Sequence, residues 1–187
     1  MGPLDELLRA RLPKVGEWLP TQQRRAAVLC PLVQHDGRDH VLLLVRPADA
    51  RQHAGQIAFP GGMRDGAESV EATARRETRE ELGIDDAAID VLGGLGWRES
   101  SGGIQVHAVV ARLRPVALRP AADEVVRVLH VPLTDLCDDA RWQEKPPPFG
   151  ATGKQPRHSP HFVFGDELLW GLTARFVRDL VAVLTTG

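Results

Sequence analysis

The sequence has no tyrosine, only three lysines and only two cysteines. Twenty arginines carry most of the positive charge, but 23 basic residues against 25 acidic residues leave a formal net charge of −2. A domain that binds nucleic acid over its whole surface needs a positive excess, so we expect no nucleic-acid partner. Cys30 and Cys137 match no metal-binding spacing, and so few cysteines favour a reducing, cytoplasmic location.

Long apolar runs are also missing, since none approaches the roughly 20 residues that a membrane-spanning helix needs. We therefore expect no membrane partner. Leucines spaced among charges near the N-terminus predict an amphipathic helix over 3–12 rather than a signal peptide. The length of 187 residues fits one domain, 1–187, with a substantial core. The oligomeric state stays open between a monomer and a homodimer.

Short apolar runs separated by turn residues predict a sheet. The runs 26–33 and 40–45 flank Asp36-Gly37 and indicate a hairpin. Further strands are expected over 57–59, 89–95, 104–113, 125–131 and 161–164. One helix is predicted over 69–82, between Ser69 as N-cap and Gly83 after its last turn. A C-terminal helix is expected over 167–184 with Asp166 as N-cap, and the proline-rich stretch 141–160 as an irregular loop. This order predicts an α/β fold with a mixed sheet sandwiched between helices.

Three carboxylates occupy one arc of the helix over 69–82. Glu77, Glu80 and Glu81 stand at positions i, i+3 and i+4, where like charges repel. Hard divalent cations such as Mg²⁺ prefer carboxylate oxygens and are often shared with substrate phosphates. The alternative is a solvated acidic face whose charges pair with the arginines at 75, 76 and 79.

A longer string around this helix resembles the signature of the Nudix hydrolases, G-x5-E-x7-R-E-U-x-E-E-x-G-U, in which U is a bulky aliphatic residue. The matching positions are Gly62, Glu68, Arg76, Glu77, Glu80, Glu81, Gly83 and Ile84. Thr78 departs from the pattern, because an aliphatic residue is usual there. The resemblance implies a Nudix fold, with the signature over 62–84, and hydrolysis of a diphosphate bonded to another moiety.

The same resemblance implies Mg²⁺ or Mn²⁺ as cofactor. Glu77, Glu80 and Glu81 would then bind the metal, with Glu68 as a supporting acidic ligand. Arg76 would orient these carboxylates by ion pairing. A carboxylate near the metal can accept the proton of the attacking water, and Glu77, Glu80 and Glu124 are the candidates for this general base.

The segment before the signature resembles the coenzyme A pyrophosphatase branch, whose added motif is L-L-T-x-R-[SA]-x3-R-x3-G-x3-F-P-G-G. Matching positions include Arg46, Arg51, Gly55, Phe59, Pro60, Gly61 and Gly62, whereas Leu44 and Pro47 depart from it. The implied substrate is coenzyme A or a thioester of it, cleaved to 3′,5′-ADP and 4′-phosphopantetheine. The candidate substrate-binding residues are Arg46, Arg51, Phe59, Gly61 and Gly62.

Two alternatives stay open. The first is a Nudix hydrolase of another nucleoside diphosphate derivative, such as ADP-ribose, a dinucleotide or a nucleoside triphosphate. The second is a Nudix module that senses a nucleotide without cleaving it. The second alternative is disfavoured because a sensing module is expected to lack at least one metal carboxylate, and all three are present.

Overall fold

A computed structural model describes residues 2–49, 54–148 and 158–186. Four α-helices lie in this part of the chain: α1 (Pro3–Arg11), α2 (Val70–Leu82), α3 (Leu133–Leu136) and α4 (Gly171–Thr185). The strands are β1 (Arg25–His35), β2 (Arg38–Val45), β3 (Ile57–Ala58), β4 (Gly61–Met63), β5 (Ile89–Glu99), β6 (Gln105–Leu113), β7 (Arg127–Pro132), β8 (Trp142–Lys145), β9 (Ser159–Phe164) and β10 (Glu167–Leu169).

The main sheet in the described residues is mixed and has seven strands. Its order is β3-β2-β1-β6-β5, while β4 also pairs with β1 and β7 with β2. Strands β1 and β6 run parallel, and the other pairs are antiparallel. The expected hairpin is confirmed: β1 and β2 pair from Leu32 opposite Val41 to His35 opposite Arg38.

Both faces of the main sheet are covered by helices. Side chains alternate along β1, so that Ala27 and Leu29 contact the apolar cluster of α2, while Cys30 and Leu32 contact that of α1 and α4. Each face therefore has its own hydrophobic layer. This arrangement confirms the expected α/β class, a mixed sheet sandwiched between helices.

The C-terminal helix begins later than expected. Residues Glu167–Leu169 form strand β10, which pairs with β9, and α4 begins at Gly171. Gly165 adopts a φ of 60°, a backbone conformation that glycine tolerates, and Gly165-Asp166 is the two-residue turn of a hairpin. The prediction of a helix from 167, with Asp166 as its N-cap, was therefore wrong.

A second, three-stranded sheet also went unpredicted. It has the order β10-β9-β8, and β8 lies inside the stretch 141–160 that was expected to be an irregular loop. Trp142 opens β8, and its ring contacts Phe162 of β9 with 5.1 Å between ring centroids. The sequence did not predict this strand because β8 is only four residues long and its partner β9 begins at Ser159, beyond the prolines at 146, 147 and 148. Within the described ranges, no helix has the length and hydropathy needed to cross a membrane.

Candidate active site

Helix α2 is fixed at both ends and on one face. Ser69 Oγ accepts a hydrogen bond from the Ala72 N–H at 3.1 Å, and Gly83 ends the helix in the left-handed conformation with a φ of 66°. Val70, Ala74 and Leu82 pack into the hydrophobic layer beneath it. The predicted helix is confirmed, and its polar face is held in a defined direction.

Thr78, the departure from the signature, lies on the buried face of α2. Its side chain is fully buried, and its hydroxyl donates to the Ala74 carbonyl at 2.7 Å. The hydroxyl is therefore satisfied inside the helix itself, so the substitution leaves no buried polar atom without a partner.

Glu81 is the most deeply buried carboxylate of the helix, with 1% of its surface exposed. Its Oε2 accepts the Gly61 N–H at 2.9 Å, and its Oε1 lies 3.6 Å from Arg46 Nη1. Burial raises the pKa of Glu81 to about 7, although Gly61 and Arg46 act in the opposite direction. The ionised form of this carboxylate is thus only partly compensated by its neighbours.

Glu77 lies against the backbone of β4. A Cβ atom at Gly62 would lie 2.5 Å from the carboxylate carbon of Glu77, so only glycine leaves room for this side chain. Burial raises the pKa of Glu77, and the charges of Glu80 and Glu124 act in the same direction. Gly62 therefore leaves room for Glu77, and the Gly61 N–H binds Glu81, while a substrate contact of either glycine stays a prediction.

Arg76 links the acidic residues. Its Nε donates to Glu68 Oε1 at 2.8 Å, and its Nη1 lies 2.8 Å from both Glu77 Oε1 and Glu80 Oε2. Its Nη2 donates to the Met63 carbonyl at 2.8 Å. One guanidinium therefore fixes three carboxylates relative to each other and to β4.

Glu68 differs from the helix carboxylates because it is well compensated. The hydrogen bond from Arg76 lowers its pKa, with further contributions from the Asp65 N–H and the Thr73 hydroxyl. Thr73 Oγ1 donates to Glu68 Oε2 at 3.0 Å. Glu68 is thus held ionised by the protein itself.

The remaining basic candidate, Arg46, and the remaining acidic candidate, Glu124, lie on segments next to helix α2. Arg46 follows β2, and its side chain is 28% exposed beside Glu81. Glu124 is exposed in a loop that is bonded to the end of α2, where the Ala121 N–H donates to the Glu81 carbonyl at 2.9 Å. Its charge raises the pKa of both Glu77 and Glu81.

Two substrate-binding candidates are not placed at the site. Phe59 is 3% exposed and belongs to the hydrophobic core that covers the face opposite α2. Its side chain offers no surface for a substrate, so the expectation of a contact is corrected in favour of packing. Arg51 lies outside the described residues.

Comparison with known proteins now adds to this geometry. Residues 23–151 match the family model of the NUDIX domain, which is more than half of the chain. The chain belongs to the Nudix family. A protein of Pectobacterium atrosepticum named "Uncharacterized Nudix hydrolase NudL" is 38% identical over 85% of this chain and 82% of its own length. The expectation of an enzyme of the Nudix hydrolase class is confirmed.

Solved structures share the Nudix fold at low sequence identity. A MutT/nudix family protein from Enterococcus faecalis is 15% identical with a TM-score of 0.57, covering 96% of this chain and 68% of the other. A C. elegans Ap4A hydrolase in a binary complex is 19% identical with a TM-score of 0.55, covering 86% and 97%. Both likenesses concern the fold alone.

Nudix hydrolases generally use Mg²⁺ or Mn²⁺, and the side chains of this helix fit such an ion in chemistry. Glu77, Glu80 and Glu81 supply hard oxygen donors, and burial raises the pKa of Glu77 and Glu81, so a cation beside them would stabilise their ionised forms. In the described part of the chain, no three His, Cys, Asp or Glu side chains are close enough to enclose a metal. Arg76 Nη1 instead contacts one oxygen of Glu77 and one of Glu80.

Two residues outside the helix contact this Nudix site and were not predicted as site residues. The Trp18 indole N–H donates to the Glu68 carbonyl at 2.7 Å, and Arg64 Nε donates to the same oxygen at 3.0 Å. Trp18 is 50 residues away from Glu68 and lies in an irregular segment. Such a contact has no local periodicity that would reveal it.

Proposed function

We propose that this single-domain Nudix hydrolase cleaves the diphosphate of coenzyme A, or of its thioesters, into 3′,5′-ADP and 4′-phosphopantetheine or the acylated form. The observation that carries the proposal is the position of Arg46. This arginine belongs to the string that resembles the coenzyme A pyrophosphatase motif, and its Nη1 lies 3.6 Å from Glu81 of the Nudix helix. The added motif and the Nudix signature therefore meet at one site.

The charge of Arg46 suits a phosphate-rich substrate. Its contact with Glu81 is a long ion pair of 3.6 Å, and the Arg46 side chain is 28% exposed. Guanidinium donors are thus left over for a phosphate, to which arginine makes charge-assisted and often bidentate bonds. Arg51 is the second proposed phosphate-binding residue, by its motif spacing.

The proposed metal ligands are Glu77, Glu80 and Glu81, with Glu68 supporting them. A divalent ion bound there would neutralise the diphosphate oxygens and lower the pKa of the attacking water. Arg76 holds Glu77 and Glu80 side by side, Gly62 leaves room for the Glu77 carboxylate, and the Gly61 N–H donates to Glu81.

A general base has to accept one proton from the attacking water. Glu77, Glu80 and Glu124 are the proposed candidates, because all three side chains face the same site or influence its charges. Glu124 is exposed and lies on a separate loop, so it can accept a proton while the helix carboxylates hold the metal. The two cysteines are free, which agrees with the proposed cytoplasmic location.

A substrate panel tests this function. Coenzyme A, ADP-ribose, diadenosine polyphosphates and nucleoside triphosphates are compared at saturating Mg²⁺ and Mn²⁺, with products separated by chromatography. We expect 3′,5′-ADP from coenzyme A at the highest kcat/KM. A preference for ADP-ribose, a dinucleotide or a triphosphate would replace coenzyme A as the substrate. Tight nucleotide binding without turnover would indicate a sensing module instead.

A further inference from the structure

Trp18 contacts the Nudix machinery from outside the region that matches the family. It lies in the irregular segment between α1 and β1, whereas the family match begins at residue 23. Its indole N–H nevertheless donates to the Glu68 carbonyl at 2.7 Å, the shorter of two hydrogen bonds to that oxygen. The other comes from Arg64, whose guanidinium carbon lies 5.6 Å from the centre of the Trp18 ring.

The indole is itself held in place. Its ring packs edge-on against His107 of β6, with 5.1 Å between centroids and an angle of 77°. The segment before it is attached to β5, because the Gly94 N–H donates to the Pro13 carbonyl at 2.9 Å. Trp18 is therefore a fixed donor with its ring anchored on the main sheet.

Glu68 needs an external support of this kind. It lies between β4 and α2, outside any regular element, and its carboxylate accepts a hydrogen bond from the Nε of Arg76. The other end of the same guanidinium lies 2.8 Å from Glu77 and from Glu80. A rotation of the peptide at Glu68 would move its carboxylate and with it the position of Arg76.

We propose that Trp18 is a positioning residue of the active site. With Arg64, it fixes the Glu68 carbonyl, and Glu68 in turn holds Arg76 where it sets the spacing of Glu77 and Glu80. The inference rests on the metal-binding role given to these carboxylates under the proposed function, but not on coenzyme A as the substrate. It assigns a function to the N-terminal segment that the Nudix match does not cover.

The variant Trp18→Phe keeps an aromatic ring against His107 and Arg64 but removes the N–H donor. Trp142→Phe is a matched control. The Trp142 indole also donates to a backbone carbonyl, that of Leu136 at 2.8 Å, and it also lies beneath a guanidinium, that of Arg178 at 5.3 Å. Both substitutions therefore delete the same kind of hydrogen bond, but only one of the bonds leads to Glu68.

The first measurement is Mn²⁺ binding in the absence of substrate. Electron paramagnetic resonance reports the concentration of free Mn²⁺ during the titration. We expect Trp18→Phe to weaken Mn²⁺ binding by about 10-fold, the lower end of the effect of removing outer-shell support at metal sites. The Mn²⁺ concentration for half-maximal hydrolysis should rise by a similar factor, whereas the substrate KM at saturating Mn²⁺ should change little. Trp142→Phe should change none of these values.

A second variant separates positioning from general loss of structure. Arg64→Met removes the other donor to the Glu68 carbonyl, and we expect it to weaken Mn²⁺ binding in the same direction. Because both residues act through one oxygen, the effects of the two substitutions should not be additive in the double variant. Thermal unfolding of every variant is measured, and activities are compared well below each Tm.

The outcomes separate the inferences. Weaker Mn²⁺ binding in Trp18→Phe, beside normal binding in Trp142→Phe with a similar Tm, supports the positioning role. Equal Mn²⁺ binding in Trp18→Phe and the natural chain overturns it, as does an equal loss in both tryptophan variants. A natural chain that binds no Mn²⁺ overturns the metal assignment and this inference together. Failure to cleave coenzyme A, with the metal effects intact, overturns only the proposed substrate.

Discussion

Gly62 and Glu77 are in direct contact across the active site, such that a Cβ atom on the glycine would lie 2.5 Å from the carboxylate carbon. Real Cβ atoms do not approach other atoms so closely, so any other residue at 62 has to displace Glu77. Gly61 has a related role on the same strand, because its N–H donates to Glu81. The glycine pair before the Nudix helix therefore sets the position of two carboxylates.

The first prediction concerns Gly62→Ala. The added methyl should push the Glu77 carboxylate away from its place beside Arg76 and lower kcat by about 10- to 100-fold, as displaced support at a metal site does. Gly102→Ala is the control, because a Cβ there meets only Ser100 Oγ at an ordinary 3.8 Å. Steady-state kinetics at saturating Mg²⁺ check the result. Full activity in Gly62→Ala would show that Glu77 moves without consequence.

The second prediction concerns Glu81→Gln. The amide keeps the size of the side chain and can still accept the Gly61 N–H, but it removes a buried negative charge. We expect hydrolysis at saturating Mg²⁺ to fall by about 100-fold. The Tm in the presence of a chelator should stay the same or rise, because a buried charge with little compensation is lost.

The control for this variant is Glu71→Gln on the same helix. Glu71 pairs with Arg75 rather than with Arg76, and its side chain is 40% exposed. We expect its activity to equal that of the natural chain. If Glu81→Gln also retained full hydrolysis, Glu81 would not be a metal ligand.

The third prediction compares two buried threonines of α2. Thr78 donates to the Ala74 carbonyl within the helix, whereas Thr73 donates to the Glu68 carboxylate. Thr78→Val should leave kcat unchanged and the free energy of unfolding within about 1 kcal/mol of its natural value. Thr73→Val should lower kcat by about 5-fold, the equivalent of the roughly 1 kcal/mol of one hydrogen bond. Equal kinetics in the two variants would contradict the link from Thr73 to Glu68.

Local signals were enough to predict much of the fold. Helix α2 begins after Ser69 and ends before Gly83, as expected, and Asp36-Gly37 joins the first two strands of the sheet. Asp166 is predicted as the N-cap of a helix, but with the preceding Gly165 it forms a two-residue hairpin turn. The choice between them depends on whether the next residues find a strand to pair with, which local sequence does not contain.

The candidate site was predicted as a set of residues but not as an arrangement. Helical spacing was sufficient to place Glu77, Glu80 and Glu81 on one face of α2. Spacing contains no information on Trp18, because its partner Glu68 is 50 residues away and the bond joins a side chain to a carbonyl. Phe59 was misassigned for a similar reason: a motif fixes its position in the chain but not the direction of its side chain.

The fourth prediction concerns Arg46→Lys. Lysine keeps a positive charge beside Glu81 but loses the planar group that bonds a phosphate at two points. We expect kcat/KM for coenzyme A to fall by about 10-fold, or about 1.4 kcal/mol. Arg38→Lys, at the exposed opposite end of β2, should leave the kinetics unchanged.

A comparison of coenzyme A with dephospho-coenzyme A tests which phosphate, if any, Arg46 contacts. If Arg46 contacts the 3′-phosphate, Arg46→Lys should bring kcat/KM for the two substrates closer together. If it contacts the diphosphate, both values should fall in parallel. Unchanged kinetics of Arg46→Lys with both substrates would show that Arg46 does not contact the substrate.

The fifth prediction is a pH dependence of stability that comes from Asp5 of α1. Asp5 is 4% exposed, and its Oδ1 accepts the Arg112 Nε at 2.8 Å. Burial acts to raise the pKa of Asp5, but the hydrogen bonds from Arg112 and the Gly2 N–H outweigh it and hold the pKa below its usual 3.8. The unfolded chain therefore takes up this proton at a higher pH than the folded chain does. The stabilisation is present above the unfolded pKa of 3.8 and is lost as the pH falls through the lower, folded value.

Asp5→Asn tests this relationship by removing the more deeply buried of two carboxylates that pair with Arg112, the other being Asp39. We expect the free energy of unfolding at pH 7 to fall by about 3 kcal/mol, as for one partner of a buried pair. The variant should also lose less stability than the natural chain as the pH falls from about 5 to 3. Asp90→Asn removes a second ion pair of α1, that with Arg9 at 2.6 Å, whose two side chains are 43% and 35% exposed. Because an exposed ion pair contributes less than about 1 kcal/mol to the free energy of unfolding, the Tm of Asp90→Asn should hardly change. Equal Tm losses in the two variants would show that burial of Asp5 adds nothing to its pairing.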